Sequence, residues 1–252
     1  MYSGSRQQIG VHMMTFSEAV AKLGIYLAFE VFRGAGTYDA IPFSEWLKVA
    51  QTAFAFERKD RGLLLPFDGE QGRRYEQEAS REILKQLQAK ARTFEDHHAI
   101  LQHAMTMAFS HYHEDPDPWP MEVLKLCELA ATFEKCVIAY GYVKERQYNT
   151  FPLNAKHDFS GKYEVQHAVM LERAANHAKT LAEWKWVASQ HSKWDSKPQW
   201  KHAVEKMEAL ASSLEDWLEI SRLVIPTSRC DDEYAKRATQ KIVELTKDTV
   251  TV

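Results

Sequence analysis

Apolar residues recur along this chain at the three- and four-residue spacing of an α-helix. Leu181, Trp184, Val187 and Ala188 fall on one helical face with His191, and Leu214, Trp217, Ile220 and Val224 fall on another. A second kind of stripe follows each. Trp200, Ala203, Val204, Met207, Leu210 and Ala211 match the pattern over three turns, and Ala235, Ala238, Ile242 and Leu245 repeat it. Earlier in the chain Ile83, Leu84 and Leu87, then Val123, Leu124, Leu126 and Leu129, do the same.

A start signal stands before many of these stripes: a hydroxyl residue, an apolar residue, any residue, then an acid. It occurs at Thr15–Glu18, Thr93–Asp96, Thr180–Glu183 and Ser213–Asp216. A hydroxyl that accepts the third N–H on, and an acid that reaches back to the cap's own N–H, form a capping box. Two copies are imperfect. Pro42 replaces the hydroxyl before Glu45, and Lys135 replaces the acid after Thr132, which removes the returning half of that box. Prolines follow the first helices at Pro66, Pro116, Pro152, Pro198 and Pro226. Proline is excluded from a helix interior, so these mark connectors between paired helices.

The predicted unit is therefore cap, helix, connector, helix. Units are expected near residues 42–92, 93–131, 132–179, 180–212 and 213–247, with residues 1–41 holding a leader and a capping helix from Phe16 to Phe32. That helix sets Val20, Leu23, Leu27 and Val31 on one side and stops at Gly34-Ala35-Gly36. Residues 61–75 and 149–162 are expected as long connectors. A lone helical hairpin cannot bury both its stripes, so neighbours must stack. The fold class expected is all-α, as an α-solenoid of about five stacked hairpins forming one continuous domain. In outline it resembles the tetratricopeptide and HEAT classes of helical-hairpin repeat, which implies a scaffold that binds other proteins. A compact helical bundle is the alternative arrangement.

Composition sharpens this picture. The 252 residues hold ten glycines, all at or before Gly161, whereas sheet proteins need glycine at their hairpin turns. The net charge of −3 gives no sign of a nucleic-acid or membrane partner. Arg58-Lys59-Asp60-Arg61, Arg73-Arg74, Lys85, Lys90 and Arg92 could line an RNA groove, but Glu76, Glu78 and Glu82 intersperse them and suggest an ion-paired helix. Cys127, Cys136 and Cys230 lack the number and spacing for a disulfide framework, so a reducing, cytoplasmic setting is expected.

No nucleophile elbow or glycine-rich phosphate loop occurs, and no cofactor is expected. Histidines crowd the stretch from His97 to Asp117, yet His98 and His103, five apart, share no clean face of an α-helix. Glu95 with His98, and Glu164 with His167, each place an acid and an imidazole three apart. That spacing occurs in di-iron helical bundles, so these four residues are the metal-site alternative. Trp186 lies about 200° around the helix from Trp184. It either packs on the adjoining unit or stands out as an anchor. With Trp119, expected on a loop between Pro118 and Pro120, it is the candidate partner-binding residue. A non-enzymatic scaffold for a protein or peptide partner is the function these features favour; metal binding and RNA binding are the alternatives.

Overall fold

The computed structural model describes residues 14–55, 70–104, 119–148, 160–191, 197–225 and 233–250. Among these the protein is all-α, with no strand. In chain order the helices are α1 (Phe16–Leu23), α2 (Ile25–Gly34), α3 (Phe43–Ala55), α4 (Glu70–Lys90), α5 (Phe94–Ala99), α6 (Trp119–Leu129), α7 (Phe133–Tyr148), α8 (Ser160–His177), α9 (Leu181–Gln190), α10 (Lys197–Leu210), α11 (Leu214–Val224) and α12 (Glu233–Val250). A 3₁₀ turn, Tyr38–Ala40, follows α2, and a π-turn, Ile100–Ala104, extends α5. No helix among the described residues is long and apolar enough to cross a membrane.

Local chemistry sets the helix starts. All four complete hydroxyl-to-acid motifs form capping boxes, at Thr15, Thr93, Thr180 and Ser213. At Thr93 the hydroxyl accepts from the Asp96 N–H at 3.1 Å, and Asp96 accepts from the Thr93 N–H at 3.0 Å. At Thr132 only the forward bond exists, from the Lys135 N–H at 3.3 Å. At Pro42 there is no N–H to receive the acid. Glu45 instead accepts the Ser17 N–H at 2.9 Å and so ties α3 to the first turn of α1.

Three expectations are corrected. The first predicted helix breaks at Gly24, whose φ of 78° and ψ of 162° lie where only glycine sits without strain. The break resets the helical phase. Ile25, Ala28 and Phe29 turn inward, while Leu23, Leu27 and Val31 remain exposed. The connectors are also shorter than expected, because residues 70–75 belong to α4 and 160–162 to α8. Trp119 opens α6 and is not on a loop. Of the connector prolines, Pro198 lies in the first turn of α10; Pro66, Pro116, Pro152 and Pro226 lie outside the described residues.

The chain divides into two compact units, one up to Leu126 and one from Cys127. In the first, α1 packs against α2 and α3, and α3 and α4 pack on each other and on the π-turn. Its core is aromatic at one end. Trp46 is fully buried with ring centroids of Phe16, Tyr38 and Phe29 at 4.6, 5.4 and 6.0 Å. In the second unit α7 pairs with α8, α9 with α10 and α11 with α12, while α9 also touches α8 and α11. Trp184, Trp200, Met207, Ile220 and Tyr234 are the large members of a shared core. The predicted stripes on α9, α10 and α11 supply that core.

Candidate functional site

The histidine-rich stretch is put to three different uses. His97 is buried, and its Nδ1 lies 2.7 Å from Glu122 Oε2, a carboxylate buried equally well. The Gln88 amide donates to the other oxygen of Glu122 at 3.0 Å. One residue from each of α4, α5 and α6 thus satisfies a polar group that would be costly to bury alone. His98 is half-buried with its ring 6.1 Å from Phe94. Burial pushes its pKa below the ordinary value, Glu95 opposes the shift, and His103 adds to it. His103 sits in the π-turn. His98 precedes this turn, in α5. His111, His113, Glu114, Asp115 and Asp117 lie outside the described residues.

The four residues of the metal-site alternative are placed as follows. Glu95 is exposed in the first turn of α5, with His98 one turn on. His167 lies on α8 with its ring 4.5 Å from Tyr140. Glu164 belongs to α8, and its side chain is outside the described part. Among the described residues no group of three or more histidines, cysteines or acids is positioned to hold a metal ion.

Trp186 packs edge-on between two residues of α7, with Phe133 at 5.6 Å and Tyr140 at 5.3 Å. It is half-buried on the neighbouring hairpin. The side chain of Trp119 is outside the described part. Cys127 and Cys136 are buried; burial pushes the Cys127 thiol up to about 12, which removes its nucleophilic form at neutral pH. The basic residues near the end of α4 serve backbone carbonyls. Lys90 donates to Asp39 O at 2.7 Å, and Arg92 donates to Ala89 O and Ala91 O at 2.8 and 2.7 Å. Cations there complement the C-terminal end of the helix.

The open apolar surface is on α2. Leu27 and Val31, four residues apart, are 60% and 52% exposed, and Leu23, the last residue of α1 before the break, is 41% exposed. On the opposite side Phe29 is buried against Phe16, Tyr38 and Trp46. The sequence pattern sets these three side chains on one side of a continuous helix, and the break at Gly24 parts Leu23 from the other two. The isolated Gly24 was the available signal for a break. Comparison with protein-family models, curated proteins and solved structures gives no match.

Proposed function

We propose that this protein is a non-catalytic helical scaffold whose α2 face docks an apolar segment of a protein or peptide partner. The exposed pair Leu27 and Val31 on α2 carries the reading. Exposed helix faces are ordinarily polar, and α2 turns Leu27 and Val31 to water. Anchors spaced four apart match the way an amphipathic helix is held in a groove or against another helix. The stacking of α7 to α12 in consecutive pairs supports a solenoid arrangement of the hairpins.

The test is affinity capture with the full chain, comparing the native sequence with a Leu27→Glu, Val31→Glu variant. Both positions are solvent-exposed, so the variant keeps its helical circular dichroism. A partner captured by the native chain and lost from the variant supports the proposal. An identical captured set from both chains, or no capture by either, overturns it. Sedimentation of the two chains alone shows whether the partner is a second copy.

A further inference from the structure

In the second unit the first helices of consecutive hairpins meet in one direction along the chain. Trp186, six residues after its cap Thr180, packs on Phe133 and Tyr140 of α7 at 5.6 and 5.3 Å. Lys185, the residue before it, pairs instead with Glu219 of α11. Leu218 stands five residues after the cap Ser213, the place that Lys185 holds after Thr180. The side that α9 turns to α11 is therefore the side that α11 turns to water, and there it is apolar. Leu218 is 37% exposed and Ile225, seven residues on, is 43% exposed. Arg222 lies between them on the same helical face, with a side chain 71% exposed.

The open face of α2 is built in the same way with the opposite charge. Leu27 and Val31 are 60% and 52% exposed, and the Glu30 side chain beside them is 72% exposed. Arg33 pairs with Glu30 at 3.4 Å, but its guanidinium lies over the buried Tyr38 ring at 4.7 Å, drawn toward the packed side of α2. On α11 the acid beside Arg222 is Glu219, which it shares with Lys185. Each face thus sets one charge among exposed apolar side chains, negative on α2 and positive on α11. Two copies of either face would oppose like charges. Placing α2 against α11 joins apolar to apolar and acid to base.

We propose that this chain associates with itself head to tail, the α2 face of one copy docking on the α11 face of another. The inference rests on the docking role of α2 and names a second copy as its occupant. Glu30 of one copy pairs with Arg222 of the next, while Leu27 and Val31 cover Leu218 and Ile225. The contact is heterologous, so every copy brings one face of each kind and assembly continues beyond two copies, into a ring or a filament.

Sedimentation equilibrium of the full chain tests it. The native chain is expected to exceed the monomer mass as its concentration rises. A Leu27→Glu, Val31→Glu variant loses the α2 face, a Leu218→Glu, Ile225→Glu variant loses the α11 face, and each alone is expected to be monomeric. An equimolar mixture of the two is expected to form dimers and nothing larger, because it restores a single α2–α11 contact. Glu30→Arg and Arg222→Glu repeat the test without touching the apolar positions. Each is expected to weaken association about tenfold, and mixing the two to restore it. All these positions reach solvent, so the variants keep the fold, which circular dichroism checks. Restoration by mixing in either pair supports the proposal. A native chain that is monomeric at every concentration, variants that associate alone as the native chain does, or mixtures that restore nothing in either pair, overturns it. A monomeric native chain that captures a different protein through Leu27 and Val31 overturns the second copy and leaves the docking role of α2 standing.

Discussion

A single hydroxyl decides where several helices begin. Thr93 bonds the Asp96 N–H and receives the Asp96 carboxylate on its own N–H, so Thr93→Ala removes a cap at the start of α5. The expected loss is about 1 kcal/mol, read as a lower urea midpoint with an unchanged slope. The buried pair His97 and Glu122 is a different case. Glu122→Ala leaves the buried His97 and the half-buried Gln88 without their shared acceptor. A loss of about 3 kcal/mol is expected, and Glu122→Gln, which keeps an acceptor oxygen in place, is expected to cost less. Caps are legible in a sequence because donor, acceptor and spacing lie within four residues. The His97–Glu122 contact joins residues 25 apart on α5 and α6, and no local pattern announces it.

At the scale of the element, Gly24 governs the N-terminal helices. Its positive φ and extended ψ suit glycine alone, so Gly24→Ala is expected to destabilise by about 1–3 kcal/mol in urea unfolding. The phase shift that follows from the break makes a sharper comparison within one helix. Phe29→Ala is expected to cost about 3–5 kcal/mol, because Phe29 is buried among Phe16, Tyr38 and Trp46. Leu27→Ala, on the exposed side of the same helix, is expected to stay within about 0.5 kcal/mol. Equal losses at the two positions would restore the single continuous helix that periodicity suggests. The π-turn after α5 has the same lesson on a smaller scale. It widens the backbone over Ile100–Ala104, and it leaves no mark in a pattern counted at 3.6.

For the molecule, acid is expected to remove stability in two stages. His167 and His191 titrate below their ordinary value in the folded chain, chiefly because they are buried. The unfolded chain then takes up protons first, so their stabilising contribution is complete above about pH 6.5 and is lost as pH falls through the folded values. Carboxylates give the second stage. Glu183 is held low by the Lys179 N–H, and Asp96 is held low by the Arg92 and Thr93 N–H groups despite its burial. Their contribution is present above about pH 4 and fades below it. Urea midpoints measured from pH 8 to pH 3 check both stages, and a flat profile between pH 7 and 5 would contradict the histidine stage.

What the sequence determined by itself is the helical class, the four complete caps, the weakened cap at Thr132 and the stripes that became the core of α9 to α12. All rest on interactions within a turn or two, where spacing alone brings partners together. The tertiary structure alone decided which side of α2 faces inward, the meeting of His97 with Glu122, the packing of Trp186 between Phe133 and Tyr140, and the placing of His167 and Lys144 against the Tyr140 ring. Those contacts join residues on different helices. Their geometry follows from how the helices are packed, and the linear order of the chain does not contain it.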